Sequence, residues 1–394
     1  MVGDETIAAI RDAADELRGS RILELSSTAT GGGVAEMLSS LVPLQRDIGL
    51  DVEWDVIPGD AVFFEFTKSL HNGLQGMPMK MTERGRTDYL SHNSASAAML
   101  TDSWDVVIVH DPQPAAVREF ANRHSSARWI WRCHVDSSTP DQAAWDFLRP
   151  YIKQYDRAVF TLPEFVPDGL DVPVTLVEPA IDPLSSKNRE LPGYLSRETA
   201  AELGIDIERP LLLQVSRYDP WKDPLGVVEV WRQARETFDQ LQLALVGAMA
   251  ADDPEAWRIY RGLEAEVAEE PDCHLLTNQG GVTAHEVNAL QRVADVAIQK
   301  SIREGFGLVV SETLWKETAM VAGRAGGIPT QLEDGISGRL ATGVDEFAAA
   351  VCELLEHPIR ARDLGVAGRR RVQERFLITR LLADQVRLIA EVLR

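Results

Sequence analysis

Glu304 and Glu312 lie either side of Gly305-Phe306-Gly307-Leu308 in the stretch Gln299-Lys300-Ser301-Ile302-Arg303-Glu304-Gly305-Phe306-Gly307-Leu308-Val309-Val310-Ser311-Glu312. Gly305 and Gly307 leave backbone amides open to a ligand, and a helix predicted to begin near Leu308 turns its positive end toward them. A carboxylate accepts two hydrogen bonds at once, which suits vicinal hydroxyls: a sugar ring at Glu304 and a ribose at Glu312. Taken alone, two glutamates on a solvated helix end are the commoner arrangement.

A second stretch, Ser216-Arg217-Tyr218-Asp219-Pro220-Trp221-Lys222, carries two cations on a loop stiffened by proline. Arg217 can fork onto phosphate oxygens while Lys222 supplies a point charge, a pairing suited to a departing diphosphate. Solvated surface cations are the alternative. A third, Gly31-Gly32-Gly33-Val34-Ala35-Glu36, opens a predicted helix with backbone free of side chains, as a phosphate or sugar loop does. A plain tight turn remains open. Glu36 replaces the last glycine of the dinucleotide pattern Gly-x-Gly-x-x-Gly, which argues against a nicotinamide site and a dehydrogenase.

Three further clusters offer polar groups: His110-Asp111-Pro112-Gln113-Pro114, Trp131-Arg132-Cys133-His134-Val135-Asp136, and the segment Phe64 to Gly76, where Lys68, Asn72 and Gln75 share one helical face. A histidine at a strand end is more often a satisfied structural residue than a ligand-binding one.

The elements that must position these residues are short β-branched runs alternating with helical patterns, the mark of parallel sheets covered on both faces. One series runs Arg21–Ser27, Asp51–Ile57, Asp105–Asp111, Trp129–His134, Arg157–Leu162 and Val174–Val177. The other runs Leu211–Arg217, Leu241–Gly247, Cys273–Leu276, Val296–Lys300 and Ala319–Gly323. Between them Glu178–Pro192, with Pro179, Pro183 and Pro192, reads as a linker. After the second series only helical patterns remain, Val344–Glu356, Pro358–Glu374 and Leu377–Arg394, with no strand left to pair. Most of the chemistry-bearing stretches fall where strand gives way to loop, and open parallel sheets bind ligands at the C-terminal ends of their strands.

A chain of 394 residues exceeds one ordinary core and predicts two domains. The formal net charge of -21 disfavours a nucleic-acid partner. Only seven of the 40 basic residues are lysines. Cys133, Cys273 and Cys352 lie far apart, without metal-site or disulfide spacing, and are expected to be buried thiols. The acidic amphipathic start and the lack of a long apolar run point to a cytoplasmic chain with no membrane partner.

Glu304 and Glu312, a glutamate followed after seven residues by another, resemble the retaining glycosyltransferases of family 4, and the Arg217 and Lys222 pair is similar to theirs. The glycine loop, Thr67-Lys68 to Gln75-Gly76, His110–Pro114 and Trp131–His134 look like the trehalose-forming glycosyltransferring synthases over nearly the whole chain. The resemblance implies an α/β GT-B fold: two Rossmann-like doubly wound parallel-sheet domains facing across a cleft. Residues 1–185 would bind the acceptor and 186–376 the nucleotide-sugar donor, with a helix at about 377–394 packing back on the first. The implied reaction is reversible transfer of glucose from UDP-, ADP- or GDP-glucose to free glucose, giving α,α-trehalose with retention. No cofactor is strictly required, magnesium (Mg) being at most a stimulant, and a homodimer is compatible with the family.

By the same resemblance His134, Arg217, Lys222 and Glu304 are catalytic. Gly32, Gly33, Arg217, Lys222, Phe306, Gly307, Leu308 and Glu312 hold the donor, with His134 near its C6 hydroxyl, and Glu36, Lys68, Asn72, Gln75, Asp111 and Gln113 face the acceptor. Lys316-Glu317-Thr318 departs from the pattern, since relatives more often carry Gly and Pro after the lysine. A trehalose phosphorylase, a glucosyltransferase with another acceptor, and a non-catalytic nucleotide-sugar-binding protein are the alternatives.

Overall fold

The computed structural model describes residues 2–30, 32–100, 104–121, 126–249 and 254–394, so Gly31 of the glycine loop lies outside the described residues. The chain divides into two compact units, Met1–Ala180 together with Ile378–Arg394, and Ile181–Leu377.

In the first unit β1 (Arg21–Ser26), β2 (Asp51–Val56), β3 (Val106–His110), β4 (Arg128–Arg132), β5 (Arg157–Phe160) and β6 (Val174–Leu176) form a parallel sheet in the order β2-β1-β3-β4-β5-β6. In the second, β7 (Leu211–Val215), β8 (Gln242–Gly247), β9 (Cys273–Thr277), β10 (Val296–Gln299), β11 (Ala319–Gly323) and β12 (Arg339–Ala341) form another, in the order β12-β11-β10-β7-β8-β9. Two Rossmann-like sheets in one chain are the GT-B architecture expected from the resemblance. The expectation that no strand remains after Gly323 is corrected by β12, whose Leu340 pairs with Ala322 of β11. Its three residues are too few to show an alternation.

Side chains on successive strand positions point to opposite faces, and both faces are apolar, as parallel sheets demand. Leu23, Leu25, Val107, Val109, Trp129, Trp131 and Phe160 enter one cluster. Ile22, Val52, Val106, Ile108, Ile130 and Val159 enter the other. The second cluster is closed by the helix Ile378–Leu393, whose Ile378, Leu381, Leu382, Val386, Ile389 and Val392 recur at helical spacing and pack with helices Asp4–Asp15 and Gly33–Asp47. Gln385, buried in the middle of this stripe, is its polar exception.

In both sheets the chain fills one side and then crosses to the other, so the order reverses between β1 and β3 and between β7 and β10. At such a switch point the loops after neighbouring strands diverge and leave a crevice. The glycine loop and Asp111–Gln113 follow β1 and β3; Ser216–Lys222 and Lys300–Gly307 follow β7 and β10.

The helix Leu308–Trp315 ends at Lys316, and Glu317 turns the chain with a left-handed φ of 62°. Gly365 of the helix Pro358–Arg375 lies against this turn: a Cβ there would sit 1.9 Å from the Glu317 carbonyl oxygen. Alanine normally favours a helix interior by about 1 kcal/mol over glycine. Here Gly365→Ala is expected to destabilise instead, by about 1–3 kcal/mol, because the obstacle is backbone; urea unfolding of the two proteins measures the sign.

Candidate functional site

In the second unit, the loop after β7 is held from beneath. Tyr218 is buried and donates its hydroxyl to the carbonyls of Leu245 (2.9 Å) and Leu276 (3.2 Å). Asp219 accepts from the Trp221 amide at 2.9 Å and pairs with Arg217 at 3.2 Å. The short turn Pro220–Lys222 then points Lys222 at Glu304: Nζ donates to Oε2 at 2.5 Å, and the Ser301 hydroxyl donates to the same oxygen at 3.0 Å. Asp223 closes the turn in a left-handed conformation, pairs with Lys300 and caps the helix Pro224–Arg235. Arg217 is the more open of the two cations, its side chain 43% exposed against 15% for Lys222.

The loop after β10 ends at Gly307, whose φ of 83° is reached cheaply only by glycine. That turn starts the helix at Leu308, as the sequence predicts. Phe306 is buried against Phe376, so only its backbone is available to a ligand. Gln331 fixes the loop by donating to the carbonyls of Phe306 and Gly307 while its oxygen accepts from the Ser311 amide and hydroxyl.

One turn into that helix Glu312 is buried, with Oε1 3.5 Å from the Lys187 ammonium and Oε2 without a hydrogen-bond partner among the described residues. Lys187 lies in the irregular stretch read from sequence as a linker. Asn288 pins that stretch by donating to the carbonyls of Ser186 and Arg189. Lys316 is buried beneath, donating to the side-chain oxygen of Asn188 (2.8 Å) and the carbonyl of Glu312 (2.9 Å). Lys187 was missed because its partner is 125 positions away (312 − 187). The one signal is that lysine is rare in this chain.

In the first unit Gly32 caps the helix Gly33–Asp47, and Gly33 and Glu36 are exposed on its first turn. Lys68 and Asn72 stand one turn apart on the helix Ala61–Leu74, and Gln75 caps its end; Asn72 and Gln75 are buried and Lys68 half-buried. Asp111 leaves β3 with a left-handed φ of 65°, and its Oδ1 accepts the His134 amide at 2.8 Å, which joins the ends of β3 and β4. Burial pushes its carboxyl up to about 6. The Gln113 side-chain oxygen is buried without a partner among the described residues. The His134 ring lies nearly parallel to that of His110, edge to edge with its Nε2 3.0 Å from His110 Nδ1, and is held well below the usual imidazole range, first by burial and then by Arg132 and His110.

Glu24, Gln45 and Gln385 complete this polar cluster and were not anticipated. The buried Glu24 carboxylate accepts from His110 (2.8 Å), Gln45 (3.3 Å) and Gln385 (3.1 Å). Its place in Arg21-Ile22-Leu23-Glu24-Leu25 gives only the look of an outward-facing strand residue.

Among the described residues no three His, Cys, Asp or Glu side chains are grouped to hold a metal ion, and no helix is long and apolar enough to cross a membrane. All three cysteines are free; Cys133 is buried, whereas Cys273 and Cys352 are only partly so, against the expectation of buried thiols. A cavity of about 600 Å³ opens at the other end of the second sheet, by Arg209, Leu211 and Asp295, where β7 and β10 begin. It is lined by none of the residues singled out from sequence for chemistry.

Residues 24–167 match the family model "Trehalose synthase, N-terminal domain", and residues 196–371 match "Glycosyl transferases group 1". The chain is 49% identical to a trehalose synthase of Rubrobacter xylanophilus, over 100% of this chain and 95% of that one. It is 43% identical to a trehalose synthase of Pyrococcus horikoshii, over 96% and 92%. Among solved structures it is similar to an alpha,alpha-trehalose-phosphate synthase of Burkholderia xenovorans, with a TM-score of 0.73, 15% identity and coverage of 94% and 100%.

Burial lowers the Lys316 ammonium from 10.5 to about 7, the Glu312 charge opposing the shift. Below pH 7 folding carries the full cost of the buried charge. From pH 7 to 10.5 the unfolded chain binds a proton that the folded one has released, so stability rises with pH. Wild type should therefore gain about 1 kcal/mol per pH unit over Lys316→Met between pH 7.5 and 9.5, measured by urea unfolding; parallel curves would contradict it.

Proposed function

The chain belongs to the trehalose synthase family of group 1 glycosyltransferases and is a retaining hexosyltransferase, and on that footing we propose that it transfers glucose from a nucleotide-glucose to free glucose, forming α,α-trehalose reversibly. The observation that carries this reading is the pairing of Glu304 with Lys222 and of Glu312 with Lys187 around the loop after β10. Each carboxylate is buried and held by an ammonium, so each is a preset acceptor for hydroxyls with a cation beside it.

In this reading Glu304 and the backbone from Phe306 to Leu308 take the donor glucose, Glu312 the ribose, and Arg217 and Lys222 the diphosphate. Lys187 joins the ribose end. His134 accepts the sugar near C6; Asp111, Gln113, Lys68, Asn72, Gln75 and Glu36 serve the acceptor, and Gly32 and Gly33 serve the donor. The acceptor hydroxyl forms its bond to C1 from the face that the nucleotide leaves. As the C1–phosphate bond breaks, the departing phosphate oxygen takes the hydroxyl proton. No protein nucleophile is required, and the work of the site is to orient the two sugars and stabilise the leaving negative charge.

Incubation of the purified protein with UDP-, ADP- or GDP-glucose, with and without glucose, should give α,α-trehalose and the free nucleoside diphosphate only when both substrates are present, as read by NMR. No trehalose under any combination overturns the reading, and trehalose breakdown driven by inorganic phosphate alone would favour a phosphorylase. Glu304→Ala and Lys222→Ala should each lower kcat/KM by about 10²–10³, the scale of losing one charged contact to a developing charge. Full turnover in Glu304→Ala would remove its assigned role.

A further inference from the structure

Glu24 lies on β1 with no exposed surface, and three donors meet its two oxygens. The orientation of one donor follows from chemistry. Arg132 donates to the Gln385 side-chain oxygen at 3.2 Å, and a guanidinium has no lone pair to accept with, so the Gln385 amide NH₂ must face Glu24. Gln385 and Gln45 both end on Oε1; His110 Nε2 approaches Oε2 at 2.8 Å.

A carboxylate with this many donors only accepts, so His110 carries its proton on Nε2. In the neutral imidazole Nδ1 is then a lone pair, and it lies 3.0 Å from His134 Nε2, with the two rings nearly parallel at 16°. The proton between the rings therefore belongs to His134 Nε2, and His134 Nδ1 is left as an acceptor. We infer that Glu24 and His110 are positioning residues that fix the tautomer and ring orientation of His134, so that it accepts a hydrogen bond from a sugar hydroxyl at Nδ1. The relay itself stands on the first unit's geometry alone; that the hydroxyl belongs to the donor glucose rests on the function proposed above.

Glu24→Gln tests the relay without changing its size. The Gln385 NH₂ remains oriented by Arg132, so the new amide must turn its oxygen to that donor and its own NH₂ to His110. His110 then becomes an acceptor at Nε2 and a donor at Nδ1, and the His134 proton moves to Nδ1, where it no longer accepts. NMR of ¹⁵N-histidine-labelled protein should show His134 protonated at Nε2 in the wild type and at Nδ1 in the variant. Trehalose formation should fall at least tenfold, mostly in kcat, with the KM for the nucleotide-glucose changed less than threefold.

A wild-type His134 protonated at Nδ1, an unchanged tautomer in Glu24→Gln, or a tautomer that swaps while turnover stays at the wild-type rate would each overturn the inference. If Glu24→Gln does not fold, His110→Leu removes both ring nitrogens from the middle of the relay and should leave His134 as a mixture of tautomers; a single wild-type tautomer there also overturns it. The ¹⁵N readout needs no substrate, so a protein that makes no trehalose yet shows the predicted swap would sink the proposed reaction and leave the relay standing.

Discussion

A carboxylate removed from water inside a sheet must be met by donors, and the first unit is organised around that demand at Glu24. Strands β1, β3 and β4 and the helices Gly33–Asp47 and Ile378–Leu393 each send one polar side chain to the same spot: Glu24, His110, Arg132, Gln45 and Gln385. Apolar side chains of like volume would stabilise the interior as well or better. A cluster of this kind orders its members in space, and here the outermost member is His134.

The second unit meets a related demand with lysine. Four of the chain's seven lysines, Lys187, Lys222, Lys300 and Lys316, are tied to Glu312, Glu304, Asp223 and Asn188 around the loops after β7 and β10. An ammonium on a flexible stem has three donors and no fixed plane, so it can hold a carboxylate and still turn a donor toward a phosphate. Arg217, with its planar fork, is the more exposed member. Both units also place a non-glycine residue in left-handed backbone beside these groups, Asp111 at the end of β3 and Asp223 after Lys222. Such conformations cost about 1 kcal/mol or more each and concentrate where a side chain must be aimed.

The strands and the switch-point loops were legible because parallel strands buried on both faces are runs of Val, Ile and Leu, and because glycines and cations gather where those runs stop. Arg217, Lys222, Glu304 and Glu312 drew notice for that reason, whereas a role for His134 came only from the family resemblance. Glu24 could not: its partners are 86 residues away at His110 and 361 away at Gln385, and a glutamate inside a strand looks the same whether it faces water or a buried amide. Gln385 was hidden likewise in an apolar helical stripe. Lys187 fell in a proline-bearing stretch whose irregular backbone conceals that Asn288 holds it in place. The left-handed Asp111 and Asp223 had no glycine or asparagine to announce them. β12 was too short to carry a pattern.

The route of the chain has a consequence for how the molecule is made. Residues 181–377 emerge from the ribosome before the helix Ile378–Leu393, so the second sheet can assemble during synthesis while the first still lacks a wall of its core. Until that helix arrives Glu24 has lost one of its donors and Arg132 has no Gln385 to bind. The first unit to be translated is therefore finished after the second, and the histidine pair reaches its working arrangement only once the helix Ile378–Leu393 has been made.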